Sequence, residues 1–177
     1  WQKEGDAYLL FKSEALKLND LRYLTGFDGS MGIFLQTKEK NYLFVDGRYF
    51  EKVKNQKNEN LEIILYDINF KKVIKSLLKK EKVKKIVIDP YQSFAFIKRL
   101  EKILKNVKIV VSKKEITSQV RIRKDEKEIE VLKKAQEIAD KIFKEILNFI
   151  KPEKHTEREV AFKIYELAVK KYGCEGL

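Results

Sequence analysis

Residues 61–111 read LEIILYDINFKKVIKSLLKKEKVKKIVIDPYQSFAFIKRLEKILKNVKIVV. Three short apolar runs in this stretch predict strands, at Leu61–Leu65, Val83–Ile88 and Val107–Val111. Between these runs the apolar residues recur at helical spacing from Phe70 onward, and Ser93 is placed to cap the second helix. Strands that alternate with helices predict crossover connections, and therefore a partly parallel sheet with helices on both faces.

The residues before this stretch predict further strands of the same sheet. Met31–Gln36 and Tyr42–Val45 are rich in β-branched and aromatic residues, and the polar segment between them suits an antiparallel hairpin. Tyr8–Phe11 is a shorter apolar run that predicts another buried strand, and Tyr49–Asn58 predicts a short helix. Together, these elements predict a three-layer, mixed-sheet α/β domain.

The alternation ends after residue 111, and two long amphipathic helices are predicted instead. Asp125 with Glu128, and Thr156 with Glu159, have the spacing of capping boxes that start these helices. Pro152 is expected to break the first helix and Gly173 to end the second. The apolar stripe of the first helix extends over about six turns and needs a further surface to cover it. We therefore expect this chain to be the first part of a longer protein.

Composition limits the classes of function. The net charge is +12, and residues 1–120 hold 25 basic and 15 acidic residues. Such a surface could bind nucleic acid, but the lysines are scattered and only 3 of these 25 basic residues are arginine, which favours a solvated surface. The single cysteine excludes an internal disulfide and fits a reducing compartment. We do not expect a membrane span, because no apolar run approaches about 20 residues.

Two motifs stand out as candidate site segments. Residues 19–30, NDLRYLTGFDGS, predict an extended segment that ends in a turn, in which Gly26 and Gly29 can take positive φ. Residues 46–49, DGRY, lie where a strand is predicted to lead into a helix. Arg48 would be at the helix N-terminus, where the helix dipole disfavours a cation, so we expect an anionic partner. That partner is either Asp46 or a group on a substrate or a neighbouring subunit.

These motifs resemble the N-terminal domain of the creatinase, prolidase and Xaa-Pro aminopeptidase family. The resemblance rests first on Tyr23–Phe27 (YLTGF), on Gly29-Ser30 and on Asp46–Tyr49. Residues 120–129 are similar to the junction with the family's catalytic domain. Residues 151–157 are similar to the turn between the first two catalytic-domain helices, with Glu153 where glycine is usual. Several motifs in the right order are more specific than one short match.

The resemblance implies a creatinase-type N-terminal domain at residues 1–117. Residues 118–177 would then be the linker and the first two helices of a pita-bread catalytic domain. It also implies a cytoplasmic metallopeptidase, expected to be a homodimer, that cleaves peptides with proline at the second position. Two divalent metal ions, expected to be manganese, would be held by residues beyond residue 177. We therefore assign no catalytic or metal-binding residue here, and we expect this chain alone to be inactive.

Four residues are candidates for substrate-rim or subunit contacts: Tyr23, Phe27, Arg48 and Tyr49. His155, between two glutamates, is interpreted as a solvated residue of the turn between the helices. Two alternative functions stay open, a metal-free peptide-binding or chaperone-like relative and a basic nucleic-acid-binding domain. The sequence does not distinguish an aminopeptidase from a dipeptidase.

Overall fold

The computed structural model describes residues 1–13, 20–54, 60–151 and 153–175. The chain divides into two units, Trp1–Arg121 and Ile122–Leu177. The predicted domain boundary, between residues 117 and 118, falls within the last helix of the first unit.

The first unit is built on a six-stranded sheet, as the apolar runs predict. The order of the strands is β4-β3-β2-β1-β5-β6. The strands are β1 (Ala7–Lys12), β2 (Gly32–Gln36), β3 (Asn41–Val45), β4 (Leu61–Leu65), β5 (Lys85–Ile88) and β6 (Lys108–Val111). β2 pairs antiparallel with β1 and β3, which confirms the hairpin, and all other pairs are parallel. Five strands therefore run in one direction, and their carboxyl ends share one edge of the sheet.

Helices cover both faces of this sheet, which confirms the three-layer prediction. They are α1 (Asp20–Thr25), α2 (Gly47–Val53), α3 (Phe70–Lys80), α4 (Phe94–Ile103) and α5 (Ile116–Arg121). On one face, α3 and α4 contribute Ile74 and Leu100 to a core with Leu9 and Ile86. On the other face, Leu21 of α1 packs among side chains such as Leu10 and Phe34. Neighbouring residues of β1 thus enter opposite cores, as the alternation of side chains along a strand requires.

The structure differs from the predictions for this unit in three places. The segment predicted as extended contains a helix over Asp20–Thr25. Burial of the Leu21 side chain favours this helix, and the carbonyl groups of Leu21 and Arg22 accept hydrogen bonds at its end. Asn19 lies outside the described residues. Helix α5 was not predicted, because its six residues are too few to show helical periodicity. The helix predicted over Tyr49–Asn58 begins earlier, at Gly47, and is described as far as Val53.

The second unit contains the two predicted helices, α6 (Glu126–Phe149) and α7 (Glu157–Glu166). Both capping boxes are present, which confirms the predicted starts. α7 continues into a π-helical turn, Leu167–Lys171, and Gly173 follows with φ +66°, as expected of a helix stop. The predicted break at Pro152 lies outside the described residues.

The apolar stripe of α6 remains largely exposed. Ile146 is buried, and an apolar groove of about 380 Å³ lies along α6 between residues such as Ile142 and Ile164. Other large apolar side chains of this helix are exposed: Ile129, Val131, Leu132, Phe143 and Leu147. α6 therefore presents more apolar surface than this unit covers.

No helix within the described ranges combines the length and the apolar character needed to cross a membrane.

Candidate functional site

The segment after α1 is a tightly bonded turn at the carboxyl edge of the sheet. The hydroxyl of Thr25 donates to the carbonyl oxygen of Leu21 at 2.6 Å and accepts the backbone N–H of Phe27 at 3.1 Å. Gly26 has φ +72°, and its N–H donates to Arg22 O at 2.7 Å. This positive φ confirms the prediction for Gly26, because left-handed backbone closes the helix at low steric cost in glycine.

Phe27 anchors this turn in the core. Its side chain is 1% exposed. A Cβ added at Gly29 would lie 2.1 Å from Phe27 Cζ, so Gly29 is required by the close approach of the ring. Gly29 does not have a positive φ, which corrects the expectation drawn from its residue type. Phe27 therefore packs inside the turn, and its side chain is too buried to contact a substrate or a second subunit in this structure.

The two distinctive motifs meet at Tyr49. Its ring packs edge-on against Phe27, with the centroids 5.3 Å apart. Its hydroxyl accepts the backbone N–H of Ser30 at 3.2 Å and lies 3.0 Å from Ser30 Oγ. The hydrogen bonds from Ser30 lower the pKa of the Tyr49 phenol. The first turn of α2 and the turn after α1 are thus fixed to each other.

Arg48 pairs with Asp46, one of the two partners that the sequence allowed. The Nη2 atom of Arg48 lies 2.8 Å from Asp46 Oδ2, and Nε donates to the same carboxylate. The guanidinium also lies over the Tyr49 ring, 5.3 Å from its centroid. The Arg48 side chain is 58% exposed. The contact with a substrate or a neighbouring subunit stays a prediction.

Tyr23 lies beside an ion pair that sequence reasoning missed. The Nη1 atom of Arg121, at the end of α5, is 3.1 Å from Oδ1 of the buried Asp20. The same guanidinium lies 5.7 Å from the centre of the Tyr23 ring, which is partly exposed. The partners are about 100 residues apart in the chain, so no local pattern could have revealed them.

A second missed feature is a buried polar cluster around Tyr8. The Tyr8 hydroxyl donates to Oδ2 of Asp89 and lies 3.1 Å from the hydroxyl of Thr117. The other carboxylate oxygen of Asp89 accepts the backbone N–H of Ile116 at 2.6 Å. Burial raises the pKa of both Tyr8 and Asp89. The one available signal was an acidic residue, Asp89, directly after a buried strand.

These features define the candidate site as the carboxyl edge of the sheet on the face covered by α1 and α2. In open α/β sheets, ligands bind outside the carboxyl ends of the strands. The site presents Tyr23, Arg48 and the Tyr49 hydroxyl, which the hydrogen bonds and ring contacts above hold in place. Within the described ranges, no group of three or more histidine, cysteine or acidic side chains could hold a metal ion.

His155 belongs to the second unit. Its ring stacks on Phe149, with the centroids 4.2 Å apart, and its Nδ1 accepts the backbone N–H of Lys151 at 3.1 Å. The turn position agrees with the prediction, but the imidazole stabilises the turn and is less solvated than expected.

Comparisons with known proteins identify relatives of this chain and solved structures with a similar fold. The chain is 33% identical over 144 residues to a Pyrococcus horikoshii protein named Xaa-Pro dipeptidase, and this alignment covers 81% of the chain and 38% of that protein. Among solved structures, an X-Pro aminopeptidase from Thermotoga maritima superposes with a TM-score of 0.80 and 28% identity, over 97% of this chain and 48% of the other. The prolidase from Pyrococcus horikoshii superposes with a TM-score of 0.77 and 28% identity, over 99% of this chain and 47% of the other.

The chain thus spans less than half the length of these relatives. The family model for the Creatinase/Prolidase N-terminal domain matches residues 2–123, which include all of the first unit except Trp1, and both motifs. By this match, the chain belongs to the Creatinase/Prolidase N-terminal domain family.

Proposed function

We propose that this chain is the N-terminal, non-catalytic part of a metal-dependent Xaa-Pro peptidase that hydrolyses the peptide bond preceding proline. The observation that carries the proposal is the family match over residues 2–123. In addition, the alignment with a relative named Xaa-Pro dipeptidase covers 81% of the chain. Manganese, a homodimeric state and a cytoplasmic location belong to the same proposal.

The second unit supports a catalytic domain that continues from α6 and α7. On α6, Phe143 is 63% exposed and Leu147 is 58% exposed. Exposing such apolar surface to water costs free energy. Packing against a further apolar surface would cover them. The relatives are more than twice as long as the matched region, which is consistent with such a surface in the full protein.

In the family that the chain resembles, two divalent metal ions activate the water molecule that attacks the peptide bond. The described residues offer no cluster that fits such a pair, so we derive no step through the metals from this chain. What this chain would contribute is part of the rim of the substrate cleft, including Arg48 and Tyr49. The Asp46 carboxylate holds the Arg48 guanidinium against Tyr49, and the Ser30 contacts fix the Tyr49 hydroxyl. A side chain held in one position loses little entropy when a ligand binds.

A peptidase assay tests the proposal. The purified 177-residue chain, supplied with manganese, should not hydrolyse a Gly-Pro dipeptide or a tripeptide with proline second. A longer product of the same gene, extended beyond residue 177, should hydrolyse at least one of them, and a chelator should abolish this activity. Metal-dependent cleavage by the 177-residue chain would contradict the assignment, and so would a longer product without metal-binding residues or activity.

A further inference from the structure

Strand β4 forms one edge of the sheet, and in the structure as described its alternate backbone groups point away from β3. It is last in the strand order, and in the described part of the chain it pairs with β3 alone. The N–H of Tyr66 donates to Val45 O, and the carbonyl of Asn60 accepts the N–H of Asn41, so the even-numbered residues face β3. In a parallel ladder the alternate residues face away. Leu61, Ile63 and Leu65 therefore direct their N–H and C=O groups outward.

A groove lies beside these outward groups, between β4 and helix α3. It has an open volume of about 850 Å³. Ile64, Val73 and Leu77 give it an apolar wall, and Ser76 adds a hydroxyl. A strand that pairs with β4 would place every second side chain over this groove, because strand side chains alternate between faces. The spacing of the outward backbone groups matches the same two-residue period.

The groove is basic. Lys72 and Lys80 line it from α3. The one carboxylate in its lining belongs to Glu62, whose Oε2 lies 3.9 Å from Lys40 Nζ. Lys71, on the same helix, adds to the positive field near the groove. This field favours an acidic guest over a second copy of this chain, since two copies paired through β4 would bring both sets of lysines together.

We propose that the edge of β4 and the β4–α3 groove form a docking site for an extended acidic peptide segment of another protein, which adds to the sheet as a seventh strand. In this mode of recognition, backbone hydrogen bonds supply affinity and the pockets for alternate side chains supply specificity. Here the outward groups of β4 supply the backbone bonds. Lys72 and Lys80 select acidic side chains, and Ile64 and Val73 contact their aliphatic parts. The surface lies on the face opposite the candidate site.

Fluorescence anisotropy with a labelled hexapeptide that alternates glutamate and valine tests this docking mode. The 177-residue chain should bind it at low salt, and a hexapeptide that alternates lysine and valine should not bind. Two further peptides serve as matched probes. One is N-methylated at the backbone nitrogens of its three glutamates, and the other at those of its three valines. One probe should lose binding and the other should keep it, because only every second N–H of an added strand faces its neighbour.

Charge reversal in the protein tests the groove. The double substitution Lys72→Glu and Lys80→Glu should weaken binding of the acidic hexapeptide by about tenfold or more. The control Lys75→Glu and Lys79→Glu makes the same change of net charge on the same helix, and these two side chains line a different cavity. This control should weaken binding by no more than about twofold, since it leaves the groove charges in place. Circular dichroism checks that both variants fold.

Four results would overturn the proposal: no anisotropy change at millimolar chain, equal effects of the two N-methylated probes, equal losses from the two charge reversals, or occupation of the edge by a second copy. Light scattering detects the last result as a dimer that Ile63→Pro dissociates, because proline removes an outward N–H group.

Discussion

Asp46 and Arg48 form a closed pair at the first turn of α2, with Oδ2 and Nη2 2.8 Å apart. The same carboxylate accepts the backbone N–H of Arg48 at 3.0 Å and so caps the helix. One side chain therefore satisfies a free helical N–H and also balances a cation that the helix dipole disfavours. This relationship explains why an arginine can occupy the N-terminal turn of α2.

Replacing the capping residue should destabilise the first unit. Asp46→Ala removes the cap and the partner of Arg48, and we expect a loss of about 1 kcal/mol in the free energy of unfolding. Urea denaturation followed by circular dichroism measures it. Glu51→Ala is the control, because Glu51 lies on the same helix in an exposed pair with Lys54 and caps nothing. An equal loss in both variants would contradict the capping role.

The pH dependence of this difference follows from the pKa of Asp46. Hydrogen bonding to Arg48 holds the pKa of Asp46 below its usual range. A carboxylate whose folded pKa is depressed contributes stability above its unfolded pKa, and this contribution is lost as the pH falls through the folded pKa. The difference in stability between wild type and Asp46→Ala should therefore shrink below about pH 4. A difference that is constant from pH 7 to pH 3 would contradict this.

Tyr8→Phe should cost about 1–3 kcal/mol of the free energy of unfolding, because the buried carboxylate of Asp89 loses a donor. Tyr91→Phe provides the control, since Tyr91 is 65% exposed. Urea denaturation at neutral pH compares the two variants with the wild type. Equal stability of Tyr8→Phe and Tyr91→Phe would show that the buried hydrogen bond contributes nothing.

The same variant should respond more steeply to pH. Burial raises the pKa of Asp89, and the hydrogen bond from Tyr8 opposes this rise. A group with a raised folded pKa gives stability that is present below the unfolded pKa and is lost as the pH rises through the folded pKa. Tyr8→Phe removes the opposing bond and should lose more stability than the wild type between about pH 4 and pH 7. Parallel pH profiles would contradict it.

Gly29→Ala should destabilise the first unit by about 1–3 kcal/mol, because the added methyl group overlaps the ring of Phe27. Gly47→Ala is a matched control, since a Cβ at Gly47 meets no atom within 4 Å. Thermal unfolding separates the two variants. A Gly29→Ala variant as stable as Gly47→Ala would show that the turn can move away from Phe27 at no cost.

Neighbouring residues of α6 should respond differently to truncation. Ile146→Ala removes a side chain that is 5% exposed and should cost about 2–5 kcal/mol. Leu147→Ala removes one that is 58% exposed and should change the free energy of unfolding by less than about 0.5 kcal/mol. Chemical denaturation of the 177-residue chain measures both. A large cost at Leu147 would mean that the exposed stripe is covered in solution.

The nucleic-acid alternative, which the sequence left open, stays a prediction. It would require affinity that falls steeply with salt.

The sequence by itself determined the elements whose causes are local. The alternation of strands and helices between Leu61 and Val111, the hairpin of β2 and β3 and the two capping boxes all follow from spacing and residue type. The partner of Arg48 was also within reach of the sequence, because Asp46 is two residues away.

Only the tertiary structure decided which distant groups meet. It placed Phe27 under Tyr49, Asp89 beside Tyr8, and Arg121 on Asp20. It also turned the segment before Gly26 into a helix, because burial of Leu21 outweighs the weak preference of so short a stretch. Local pattern encodes backbone hydrogen bonding and amphipathic faces, whereas contacts across 80 or more residues depend on how the sheet brings strand ends together.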